Sequence, residues 1–151
     1  MIRSRCGRIG PWVVCVVATV LAHAGTGCSN KVPTYPVKGK VVYKGGKPFT
    51  GGGGLTIWFE TVAPPHHRAS GLVEENGEFV LSFIEEKSGA PEGEHRVRFD
   101  PGTTHMQPSA EIALGKKMPA RYLEYRTSNL KQNIVRGDNE FTVEVDLPSG
   151  K

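Results

Sequence analysis

Residues Gly71 to Phe99 read GLVEENGEFVLSFIEEKSGAPEGEHRVRF, and the alternation within them decides the fold class. From Glu78 onward, Phe79, Leu81 and Phe83 fall on one side of a period-two strand, with Glu78, Val80, Ser82 and Ile84 on the other. Apolar residues on both sides predict an interior strand. Before it, Glu74-Glu75-Asn76-Gly77 suits a tight hairpin turn, because Asn76 and Gly77 tolerate positive φ; Ala69 to Glu74 is then expected to be the antiparallel partner. Beyond the polar loop Glu85 to Glu92, Glu94, Arg96 and Arg98 alternate with His95, Val97 and Phe99. That gives one charged and one largely apolar face, which a helical repeat of about 100° would smear.

Outward from this centre the same period recurs. Tyr35 to Tyr43 puts Val37, Gly39, Val41 and Tyr43 on one face and Lys38, Lys40 and Lys44 on the solvent side, where they guard an edge against aggregation. Leu55, Ile57 and Phe59 point to a core, while Thr56, Trp58 and Glu60 face outward or toward a covering loop. Leu130 to Val135 is a strand, Arg136 to Asn139 a turn, and Glu140 to Leu147 a strand with Phe141, Val143, Val145 and Leu147 inward. The expectation is an all-β, two-sheet sandwich of seven strands: 35–43, 55–60, 69–74, 78–84, 94–99, 130–135 and 140–147. Nineteen glycines and eleven prolines fit many short strands joined by turns and argue against a helical bundle.

The chain start reads differently. Met1 to Arg8 is basic and Ile9 to Ala24 mostly apolar, the two parts of a secretory signal over residues 1–27. Its continuous apolar run, Trp12 to Ala22, is short beside the roughly 20 residues a bilayer crossing needs. Ala22-His23-Ala24 offers ordinary cleavage before Gly25, and a retained hydrophobic anchor is a third reading. Gly25-Thr26-Gly27-Cys28 resembles the lipobox of bacterial lipoproteins, departing from it at Gly25, where a larger aliphatic residue is usual. The resemblance implies lipid on Cys28 and a membrane-anchored, exported protein, with residues 28–34 as tether and 35–151 as the domain. Cys6 and Cys15 lie inside the signal, so Cys28 has no intramolecular partner left for a disulfide.

Charge follows the same division. The whole chain carries +4, but residues 1–27 hold Arg3, Arg5 and Arg8 and no acid, which leaves sixteen basic against fifteen acidic residues. So neutral a domain has no broad attraction for nucleic acid.

No catalytic constellation stands out. Gly51 to Gly54 lacks the Gly-Lys-Ser/Thr and helix of a phosphate loop and reads as a turn. Arg136-Gly137-Asp138 spells an integrin tripeptide, but a tight turn explains it. His66, His67, His95 and His105 are candidate ligands, yet a zinc site needs three or four oriented groups, and no metal or other cofactor is expected. Asp100 to Lys131 is too long for a plain connection, so it is either a functional loop or carries short structure, with Glu111 to Lys117 suited to a helical turn. Within it Arg121, Tyr122, Tyr125 and Arg126, together with Trp58, combine cations and aromatic rings suited to an anionic sugar or a protein partner.

Several ordered pieces carry a family resemblance: Tyr35-Pro36-Val37-Lys38-Gly39-Lys40-Val41 with Gly46-Lys47-Pro48, Asn76-Gly77-Glu78-Phe79, Gly89-Ala90-Pro91-Glu92-Gly93-Glu94-His95-Arg96-Val97, Met118-Pro119-Ala120-Arg121-Tyr122, Thr127-Ser128-Asn129-Leu130, and Gly137-Asp138-Asn139-Glu140-Phe141. The chain resembles the small exported carboxypeptidase regulatory-like, or transthyretin-like, domain proteins abundant in planctomycete bacteria, over essentially all of residues 28–151. It departs from them at His95, where tyrosine is usual, and in the length of the Gly51–Gly54 run. The resemblance implies a prealbumin-like or immunoglobulin-like sandwich and no peptidase zinc set. A non-catalytic envelope role, structural or binding a glycan or envelope protein, is expected. The alternative is a small-molecule carrier or hydrolase using His66, His67 or His95.

Overall fold

The computed structural model describes residues 31–50, 54–84, 88–101 and 118–147. The signal, Cys28, the glycines 51–53, His105 and the helical turn expected at Glu111 to Lys117 lie outside the described residues.

Ten strands are described: β1 (Thr34–Tyr35), β2 (Val37–Tyr43), β3 (Lys47–Pro48), β4 (Leu55–Thr61), β5 (Arg68–Val73), β6 (Glu78–Val80), β7 (Ala90–Pro91), β8 (Gly93–Asp100), β9 (Leu130–Ile134) and β10 (Asn139–Val145). One sheet runs β10-β2-β3, with β6 also on β2; the other runs β5-β4-β8-β9; β1 and β7 form a separate two-stranded ladder. β10 and β2 pair in parallel and the other strand pairs are antiparallel. The result is the expected two-sheet sandwich, with each expected strand present in whole or part.

The two inner faces meet through the residues that alternation assigned. Leu55, Ile57, Phe59, Val97 and Phe99 from one sheet and Val37, Val41, Phe79, Val143 and Val145 from the other are buried. Phe59 spans the layers, its ring 6.1 Å from Phe79 and 6.4 Å from Phe141. Aromatic contacts of this kind add to the area each ring removes from water.

Four expectations are corrected. The segment 69–74 is not the sheet partner of 78–84: β5 pairs β4 and β6 pairs β2, in opposite sheets. The acidic turn does form, with Gly77 N–H donating to Glu74 O at 2.9 Å, but the arms then diverge and meet again only at the Ser70–Ser82 bridge. At the crossing a side chain on Gly71 would strike the Val80 carbonyl, so glycine lets the two layers close there. The strand expected at 78–84 is regular only over β6, because the chain leaves β2 after Leu81; Val80, on the outer side of β6 opposite Lys38, and Ile84, past the strand, are both exposed. The first strand breaks at Pro36, which has no N–H to donate, so β1 and β2 are separate. The last ends at Val145, and Leu147 lies exposed past the end of β2, which supplies no partner there.

Between β8 and β9, residues 118–129 have structure of their own. Ala120–Leu123 is a turn of 3-10 helix and α1 spans Tyr125–Ser128, closed by Asn129 in the left-handed region at φ 53°. Ser128 Oγ donates to the Val97 carbonyl at 2.5 Å and fixes α1 to β8. Among the described residues no helix is long and apolar enough to cross a membrane.

Register also defines two ends. Val32 leads into β1 at the near end, which gathers the 62–67 loop, Ala90–Glu92 and the 135–138 turn. Gly45, Gly54 and Asp146 mark the far end.

Candidate functional site

The outer face of the β5-β4-β8-β9 sheet carries most of the unusual chemistry. The register sets Trp58 opposite Arg98, and Glu60 between Arg96 on β8 and Arg68 on β5. Arg68 Nε donates to Glu60 Oε2 at 2.5 Å, and Arg96 Nε donates to Oε1 at 2.8 Å with its Nη2 on the same oxygen. Of the two positions expected for Glu60, outward or toward a covering segment, the structure shows the covered one, its residue only 1% exposed. Burial pushes its carboxyl upward, but the bonds and charges of Arg68 and Arg96 outweigh that and hold it below the usual carboxylate range.

α1 places Tyr125 against this row. The Arg96 guanidinium is 5.1 Å from the Tyr125 ring centre; Arg98 is 5.3 Å from the same ring and 5.7 Å from Trp58. These distances lie within the range of cation–π attraction. Arg98 Nη1 also donates to Asp100 Oδ2 at 3.0 Å. Burial, with the charge of Glu60 adding to it, raises the Tyr125 phenol above its ordinary value, so the phenol stays a proton donor at neutral pH. Trp58 Nε1 and the Tyr125 hydroxyl are buried without a hydrogen-bond partner among the described residues.

Of the candidates from sequence, the fold thus joins Trp58 and Tyr125 through Arg98. Arg121 and Tyr122 belong to a second cluster at the far end. There the buried Tyr122 hydroxyl donates to Asp146 Oδ2 at 2.7 Å, Arg121 pairs with Asp146 and lies 4.8 Å over the Tyr122 ring, and Lys44 Nζ is 2.8 Å from Asp146 Oδ1. Tyr122 is accounted for as a packing residue, and Arg126 is exposed on α1. Arg96 and Arg98 were legible as a charged strand face but not as part of the site. Pairing β4 with β8 in register is the signal that would have found them, since it stacks their outward residues on Trp58 and Glu60.

The three described histidines gather around Thr61. His67 O accepts from Thr61 N–H at 2.9 Å, His66 Nδ1 donates to the Thr61 carbonyl at 2.9 Å, and His95 stands opposite Thr61 in the β4–β8 register. His95 is fully buried; its Nδ1 donates to Gly93 O at 2.9 Å, which leaves Nε2 an acceptor facing the core. Burial lowers its pKa, and nearby His67 pushes the same way against the Gly93 bond. Among the described residues no carboxylate is hydrogen-bonded to these rings, and no group of three His, Cys, Asp or Glu side chains is placed to hold a metal.

Two further concavities lie away from this row. A groove of about 600 Å³ runs between Val37, Lys38, Val80 and Asn139 on the first sheet, with the Lys38–Glu140 ion pair at 3.1 Å across it. A smaller hollow of about 230 Å³ at the near end is walled by Val32, Ala63, Pro64, Pro65 and Pro91.

No known protein-family profile matches the chain, and no curated protein matches it. Among solved structures, a DUF3823 family protein from Parabacteroides merdae matches 77% of this chain at 18% identity with a TM-score of 0.44. The match covers 47% of that protein, so this chain spans about half its length.

Proposed function

We propose that this chain is a non-catalytic binding domain of the bacterial cell envelope, held to a membrane by lipid on Cys28 and built as a carboxypeptidase regulatory-like sandwich. Its ligand is an anionic envelope glycan, taken on the outer face of β4, β8 and α1. The observation that carries the reading is Arg98 set between Trp58 and Tyr125, with Arg96 beside them. Planar guanidinium groups bond carboxylates in a fixed geometry, and aromatic rings cover the apolar faces of sugars at little cost in side-chain entropy. Two buried donors, Trp58 Nε1 and the Tyr125 hydroxyl, have no acceptor among the described residues.

The test is titration of the full chain, in detergent, with uronic-acid oligosaccharides, alongside Trp58→Ala and Arg98→Ala. Saturable binding that both substitutions weaken by about tenfold or more, with the fold intact, supports the reading. No binding by the parent chain rejects it and leaves a structural role. Mass spectrometry of the mature N-terminus tests the anchor separately.

A further inference from the structure

We propose that the near end of the sandwich rests on the lipid surface itself, through Val62, Ile84 and Val135. The inference depends on the lipid anchor at Cys28 and adds to it which end of the domain the membrane meets.

The first argument is reach. The described fold begins at Val32 and leads at once into β1, which pairs with β7 at the near end. Four residues from Cys28 span at most about 14 Å. A strand the length of β8 measures about 25 Å, so the far end stands beyond the reach of the anchor unless the domain lies flat.

The second argument is where the exposed apolar side chains sit. Six large ones are exposed among the described residues. Four lie toward the near end: Val80, on the outer side of β6 opposite Lys38, and at the tip itself Val62 at 41%, Ile84 at 80% and Val135 at 51% exposure. Val62 N–H donates to the Glu94 carbonyl, Val135 follows the Ile134 that pairs with Gly93, and Ile84 follows the Phe83 whose ring meets His67 at 5.4 Å. All three therefore lie at the same end as the hollow that Pro64, Pro65 and Val32 wall.

The third argument concerns charge. Arg136 pairs with Glu92 at 3.1 Å and Lys131 with Glu94 at 2.7 Å, so basic groups at this end are matched by acids. Contact by apolar area needs no anionic headgroups, and binding is expected on neutral phosphatidylcholine as well.

The full chain, produced in a bacterium that processes lipoproteins, is placed in phosphatidylcholine vesicles with and without brominated acyl chains. Val62→Trp, Ile84→Trp and Val135→Trp are compared with Leu72→Trp and Leu147→Trp, which lie at the far end. Fluorescence of each added indole is read as the difference from the parent chain, and a thermal melt confirms each fold. The proposal expects the three near-end indoles to lose fluorescence to bromine and the two far-end ones to keep it. Equal quenching at both ends, or none at the near end, overturns it. The mass of the Cys28 peptide is read on the same sample. A lipidated Cys28 with an unquenched near end rejects the contact alone, and an unmodified Cys28 rejects anchor and contact together.

Discussion

Arg96 donates to Glu60 across the β4–β8 ladder, where the two residues stand opposite each other, their side chains bonded at 2.8 Å on the outer face of the sheet. Glu60 is 1% exposed, while the Arg96 and Arg68 side chains keep 41% and 63% of theirs in water. The carboxylate is therefore the buried member, and the guanidiniums roof it.

Replacing Glu60 by Gln keeps the shape but removes the charge that two cations share. Breaking a buried pair costs about 3–5 kcal/mol; here the figure should lie nearer 2 kcal/mol, because both arginines remain hydrated. Urea unfolding at pH 7 reads it. A Glu60→Gln variant as stable as the parent would mean the carboxylate is not a structural keystone of this face.

His95 makes stability depend on pH in a defined window. Its folded pKa is lowered by burial, so as pH falls below about 6.5 the unfolded chain takes up the proton first and stability drops. The slope reaches about 1.4 kcal/mol per unit until the folded value is passed. Glu60, also lowered, loses its contribution at more acid pH, starting as pH falls through the ordinary carboxylate range and finishing at its lowered folded value. Urea midpoints between pH 7 and 5 should fall for the parent and stay flatter for His95→Phe; parallel curves would remove His95 as the cause.

Gly39 lies under the Phe79 ring and beside β10. A methyl group there would stand 2.5 Å from the Phe141 carbonyl oxygen and 2.6 Å from the Phe79 ring. Gly39→Ala should cost about 2–3 kcal/mol through overpacking. Adding Phe79→Leu relieves the ring contact but not the backbone one, so the double variant should stay well below the parent in thermal melting. Full recovery would show that the β2–β10 spacing gives way easily.

These tests sample what the sequence did and did not disclose. The strands expected at 55–60, 94–99 and 140–147 were legible, to within a residue or two, because each has one face against the core, and burial enforces the alternation. The 78–84 segment misled because Val80 and Ile84 look like core residues, whereas Val80 sits on the open outer side of β6 opposite Lys38 and Ile84 lies past the point where the chain leaves β2. Pairing across sheets is a long-range fact that local turn chemistry at Asn76-Gly77 cannot report. The same limit hid the site. Trp58 and Tyr125 were visible as aromatic candidates, but their meeting through Arg98 depends on β4–β8 register and on Ser128 fixing α1 to Val97. For Glu60 alternation left outward and covered positions both open, because it says nothing about which segment folds back over the face.

Asn139 ties the two sheets together at the near end. Its Oδ1 accepts from Val135 N–H at 3.0 Å, its Nδ2 donates to the Val135 and Gly137 carbonyls at 2.9 Å each, and its own N–H donates to Pro36 O at 3.0 Å. The side chain thus closes the turn from β9 of one sheet to β10 of the other. Removing it in Asn139→Ala leaves the Val135 and Gly137 groups to water, which reaches both residues, so a cost of about 1–2 kcal/mol is expected. Asn139→Asp separates the amide from the acceptor. It can still accept from Val135 N–H, but at pH 7 it sets a negative oxygen against two carbonyls where a donor is required. The Asp variant should therefore be at least as destabilised as Ala at pH 7. Below about pH 4 the carboxyl is protonated and regains one donor, so its deficit relative to the parent at the same pH should shrink while that of Ala does not. Urea midpoints at the two pH values decide it, and an Asp variant matching the parent at pH 7 would show that the two carbonyl bonds contribute nothing.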